Sequence, residues 1–203
     1  MNHFIRRSYR SVCLLLIATL ALTSTASAQS TGMSLEEIVS LKRVAGAWMS
    51  PKADRIAYLL AVPRELYKEE DGKPHHELHV VDLEGMSRPY VTGKIEISAL
   101  AWSASGESIY FLATREHDAK VNSLFEISLT GGEAVEKFTH VNSIGSIHPS
   151  PDGKTIAFLA SEAPPEKNEE LALKGFKAVV YEESLQETKV WLLDLVSEKA
   201  VVQ

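Results

Sequence analysis

Three stretches of the 203-residue chain gather side chains that could do chemistry. The first is His75-His76-Glu77-Leu78-His79. Imidazole and carboxylate are metal ligands, but this spacing is H-E-x-H. It is one residue short of the helical H-E-x-x-H that sets two imidazoles and a general base on one face. The stretch runs into alternating apolar residues, so as a strand it would put His75, Glu77 and His79 on one face. Histidines flanking a surface loop are the expectation, and no metal is expected. The second stretch is Tyr181-Glu182-Glu183, two adjacent carboxylates. Consecutive residues of a strand point to opposite faces, so these two converge only on a helical turn or irregular backbone. A solvated acidic loop is the alternative. The third, Glu69-Glu70-Asp71-Gly72, reads as a solvated turn. Cys13, the sole cysteine, lies in an N-terminal apolar run, so the mature chain is expected to lack disulfides and a thiol nucleophile.

The N-terminus reads as an export signal. Arg6, Arg7 and Arg10 precede the apolar run Val12–Leu22, and Ala26-Ser27-Ala28 supplies small residues for cleavage. That run is about 11 residues, against about 20 for a membrane-spanning helix. A signal peptide over 1–28 is therefore expected, with a retained anchor as the competing reading. The mature protein is expected to be periplasmic or secreted, with no membrane partner after cleavage. Removing three arginines and no acids takes the formal net charge from −6 to −9. A chain so acidic repels a phosphate backbone, so nucleic acid is not an expected partner.

The elements that must position any site repeat. Ser50-Pro-Lys-Ala-Asp-Arg-Ile-Ala-Tyr58, Ser103-Ala-Ser-Gly-Glu-Ser-Ile-Tyr-Phe111 and Ser150-Pro-Asp-Gly-Lys-Thr-Ile-Ala-Phe158 are one turn-and-strand phrase at offsets of 53 and 47 residues. Ile56, Ile109 and Ile156 fall in register. Pro presets φ for a turn, and Asp-Gly tolerates φ > 0. A second alternating phrase follows each copy, from Leu78, Leu124 and Val190. A period near 50 residues holding several short strands predicts an all-β chain, a partial β-propeller of about three four-stranded blades. The blades fall at about 44–94, 95–141 and 142–203. A β-sandwich with similar hairpins is the rival. Residues 29–43 form a lead-in, in which Ser34 and Glu37 make a capping box for a short helix. Long excursions interrupt the first blade after Pro63 and the third after Glu162. Propellers close with about four to eight blades, so the natural protein is expected to continue past Gln203 or to pair with another chain.

Taken in order, AWMSPKADRIAYLLAVPREL, ELHVVDLEG, SIYFLATRE, ISLTGGEA, SPDGKTIAFLAS and VYEE resemble the N-terminal propeller of prolyl oligopeptidase family serine peptidases. The dipeptidyl and acylaminoacyl peptidase branches are the nearest in look. The resemblance covers nearly everything after residue 28. It implies an α/β-hydrolase domain with a Ser-Asp-His triad, absent from this chain. No G-x-S-x-G elbow occurs, and Gly145-Ser146 lacks the flanking pattern. No residue here is expected to be catalytic, and the resemblance implies no cofactor. It does imply a peptide substrate with a free N-terminus, whose protonated amine needs counter-charge in a partly desolvated cleft. Glu182 and Glu183 match the dipeptidyl peptidase IV segment that supplies it, although Val179-Val180 stand where that pattern has Asp-Trp. The propeller would then gate and orient short peptides. The rival function is a non-enzymatic periplasmic propeller that scaffolds protein complexes, like the colicin-tolerance translocation proteins.

Overall fold

The computed structural model describes residues 32–114, 121–163, 174–175 and 187–203. The expected signal peptide lies outside them, as do Tyr181, Glu182 and Glu183. Two compact units divide the chain, residues 1–38 and 39–203. In the first, the capping box is made. Ser34 Oγ accepts the Glu37 N–H at 3.2 Å, and Glu37 Oε2 accepts the Ser34 N–H at 2.7 Å. It starts the short helix α1, Leu35–Val39, which has no buried residue. Among the described residues no helix is long and apolar enough to cross a membrane.

The rest of the described residues are all β. Among them twelve strands form three four-stranded antiparallel meanders. Sheet one holds β1 (Arg43–Met49), β2 (Arg55–Val62), β3 (His75–Asp82) and β4 (Ser87–Val91). Sheet two holds β5 (Glu96–Trp102), β6 (Ser108–Thr114), β7 (Ser123–Ser128) and β8 (Val135–Thr139). Sheet three holds β9 (Ile147–Pro149), β10 (Thr155–Ser161), β11 (Thr188–Asp194) and β12 (Lys199–Val202). Each sheet runs in sequence order, with every neighbour antiparallel.

The repeat is physical as well as textual. In the three β-turns Ala53, Gly106 and Gly153 donate to Ser50, Ser103 and Ser150 at 2.9, 2.9 and 3.0 Å, all with φ between 54° and 71°. Each serine hydroxyl also accepts a backbone N–H five residues on, from Arg55, Ser108 and Thr155. The turns stack in order, Gly106 beside Pro51 and Lys52, Gly153 beside Ala104. Even the irregularities recur. Bulges sit at Val44/Gly46 in β1 and at the equivalent Ile97/Ala99 in β5, and β3–β4 and β7–β8 shift register at Leu78/His79 and Leu124/Phe125. In β1 the bulge brings the Trp48 indole across Gly46, where a Cβ would stand 2.5 Å from the ring.

Strand alternation decides how the sheets stack. Ala57, Leu59 and Ala61 of β2 are buried, and Ala57 and Leu59 meet Ile109, Phe111 and Ala113 of β6 in a first core. The other face of β6, Tyr110 and Leu112, joins Ile156, Phe158 and Ala160 of β10 in a second. Sheet two is thus covered on both sides. The three in-register isoleucines share one rear face: Ile109 and Ile156 are fully buried against the preceding sheet, whereas no sheet precedes Ile56 among the described residues and it is half-buried. On the opposite side of sheet three, Leu159, Val190 and Val201 are exposed. Both faces of β10 carry apolar side chains, and among the described residues one of them is covered.

All three tryptophans lie in strands and are packed. Trp102 is buried, and Trp48 and Trp191 flank the cores. Trp191 Nε1–H donates to the Ala160 carbonyl at 3.1 Å, and its ring lies 4.7 Å from that of His140.

Candidate functional site

The excursion between β2 and β3 folds on itself through its own charges. Arg64 closes its neck, donating from Nε to the Lys73 carbonyl at 2.8 Å. Gly72 stands beside this guanidinium, where a Cβ would lie 2.9 Å from Nε. Inside the loop, Glu69 Oε2 accepts the Glu65 N–H at 3.0 Å while the Glu69 N–H donates to the Glu65 carbonyl. Arg43, Pro63, Arg64, Leu66, Tyr67 and Asp71 are among the residues that line a cleft of about 760 Å³. Tyr67 stands almost fully exposed on backbone with φ of 63°, a region non-glycine residues rarely occupy.

Glu69 corrects the expectation of a solvated acidic turn. Its neighbours Glu70 and Asp71 are exposed, but its own carboxylate is only 11% exposed and pairs with Lys94 from the β4–β5 connection. That ammonium, first, and the Glu65 N–H hold the Glu69 pKa down to about 2. His75 Nε2 lies 3.4 Å away, too long for a strong hydrogen bond. Neither His75 ring nitrogen has a hydrogen-bond partner, and both are closed to solvent.

As β3 alternates, His75, Glu77 and His79 share one face, as expected from the sequence, and His76 takes the other. His79 is held by a 3.0 Å contact to Glu77 and stacks on Tyr58 with ring centres 5.3 Å apart. Among the described residues no group of three or more His, Cys, Asp or Glu side chains is placed to hold a metal.

His76 faces the next sheet. Its backbone N–H donates to the Ile95 carbonyl at 2.8 Å, and its ring Nδ1 accepts the Ile97 N–H at 3.3 Å. Sheet two repeats the device. Asn122 Oδ1 accepts the Ile144 N–H at 2.7 Å and its Nδ2 donates to the Ile144 carbonyl at 2.8 Å. His76 and Asn122 each stand two residues before the leucine of the second phrase, and Ile97 and Ile144 each stand six before the turn serine. These bonds lie at the end of the sheets where the chain enters the next meander. Asn142 marks the same end of sheet three, donating to the carbonyls of Ser161 and Glu162 where the second excursion leaves. Repeat alignment could have exposed the His76 and Asn122 pair, a polar residue recurring at the mouth of an apolar strand.

No family model matches the chain, and no curated protein matches it. Solved structures do. The unliganded AtxE2 isopeptidase superposes with a TM-score of 0.63 at 14% identity, over 84% of this chain and 32% of that one. An acylaminoacyl peptidase from Pyrococcus horikoshii gives 0.61 at 14% identity, over 83% and 26%. The chain is thus similar in fold to parts of these peptidase structures. TolB from Acinetobacter baumannii gives 0.50 at 12% identity, over 78% and 32%. At these identities the likeness is one of fold. The chain spans about a quarter to a third of the length of these three structures.

Proposed function

We propose that this chain is an arc of a β-propeller that limits access and orients substrate for an exported serine-type peptidase acting on short peptides. The observation behind this reading is the stacking order. Of three meanders of one repeat, the first two each bury the rear face of the next, in a fold shared with peptidase structures of which the chain spans only a part. Under this reading a further sheet covers Leu159, Val190 and Val201, which lie on one exposed face. A hydrolase domain elsewhere in the parent protein carries the Ser-Asp-His triad. Glu182 and Glu183 set paired carboxylates against the free α-amine of the peptide, as charge-assisted acceptors. The peptide is the partner, and neither nucleic acid nor membrane enters the scheme.

Peptide hydrolysis by the full-length gene product tests it, with substrates bearing a free or an acetylated N-terminus. Glu182→Gln with Glu183→Gln should raise KM on the free-amine substrates by about tenfold and leave the acetylated ones unchanged. Unchanged kinetics on free-amine substrates would remove the two glutamates. Failure to cleave any peptide would favour the second reading, a non-enzymatic periplasmic propeller serving as a protein scaffold, which the likeness to TolB supports.

A further inference from the structure

The two repeat-equivalent bonds between sheets differ in one chemical respect. Asn122 offers an amide oxygen, which does not titrate. His76 offers an imidazole nitrogen to the Ile97 backbone N–H, a group that can only donate. Nδ1 must therefore be unprotonated to accept, and a proton arriving there turns the acceptor into a donor facing a donor. We propose that His76 is a proton-operated latch between the first and second sheets, closed while its imidazole is neutral and released when it is charged.

The surroundings hold the latch closed at neutral pH. Burial disfavours the imidazolium most. Arg43 on β1, His75 on β3 and Lys73 on the excursion act in the same direction. Glu96 on β5 acts against them, but it is shared with Arg64 at 3.7 Å and Lys73 at 4.0 Å. The His76 pKa is accordingly lowered from the ordinary 6.5. An open seam, in which the ring meets water, takes up the proton more readily than the closed one. The closed state is thus fully favoured above the ordinary value of 6.5 and loses ground as pH falls through the lower pKa of the closed form. The His76 N–H bond to Ile95 does not depend on the proton, so release loosens the seam without severing it. The consequence reaches the cleft. Arg64, which closes the neck of the excursion, also reaches across this seam to Glu96.

The test uses hydrogen exchange on the whole chain, with the Ile144 amide as internal reference for the Ile97 amide. Between about pH 7.5 and about pH 5 the protection factor of Ile97 relative to Ile144 should fall by roughly threefold or more. In His76→Asn, which carries the side chain that sheet two uses, the ratio should stay level. Parallel behaviour of the two amides in the wild type overturns the proposal, and so does a slope that survives in the variant. The wild-type ratio decides the matter even where the variant fails to fold.

Discussion

The indole Nε1–H of Trp102 donates to the backbone carbonyl of Trp48 at 2.9 Å, tying the first strand of sheet two to the first strand of sheet one. The donating side chain is itself buried in the core that the two sheets share. Trp102→Phe keeps most of the apolar packing but leaves the carbonyl without its donor. A loss of about 1–2 kcal/mol in unfolding free energy is expected, measured by denaturant melts with an unchanged m-value. A neutral result would mean that water replaces the indole freely.

Ala53, Gly106 and Gly153 occupy one turn position, and all three have left-handed φ. Two copies use the residue suited to it and the first does not. Ala53→Gly should stabilise the chain by about 0.5–1 kcal/mol, because relief of the left-handed strain exceeds the added entropy of the unfolded chain. Gly106→Ala should destabilise it by about 1 kcal/mol for the same reason. There an added methyl would meet nothing closer than the Pro51 Cδ at 3.7 Å, so the penalty is conformational and not steric. Opposite signs in thermal melts are the check.

Glu69 gives an acid-side prediction. Its carboxyl is held near 2 against an ordinary 4.5, so the folded chain binds this proton less readily than the unfolded one. The stabilisation is whole above 4.5 and drains away as pH falls towards 2. Lys94→Ala removes the main cause, so the acid-unfolding midpoint should move to higher pH. Direct titration of Glu69 by NMR should show an upward pKa. A wild-type Glu69 that titrates near 4.5 would refute the clamp.

Much of the architecture was legible because local signals and the repeat agree. The Ser-turn phrase sets strand starts, and period-two alternation sets faces. The in-register isoleucines then land on one side of three successive sheets. The capping box was equally plain, since both partners lie within four residues. What could not be read depends on residues distant in sequence. Glu69 looks like any loop acid until the β4–β5 connection brings Lys94 to it, 25 positions on. The His76–Ile97 bond needs two sheets already stacked and a bulge already placed in β5. Glu182 and Glu183 had only their neighbours and a family resemblance to speak for them.

The bare side of sheet three has a corollary for the isolated polypeptide. Its Leu159, Val190 and Val201 surface is repeat-equivalent to surfaces that receive a rear face, and sheet one presents such a rear face around Ile56, Tyr58 and Leu60. Head therefore suits tail. Chains joined this way share a heterologous contact, which closes only into a ring of fixed number and otherwise lengthens into filaments. Dilution, and not a change of buffer salt, is the lever that should keep such a preparation monomeric.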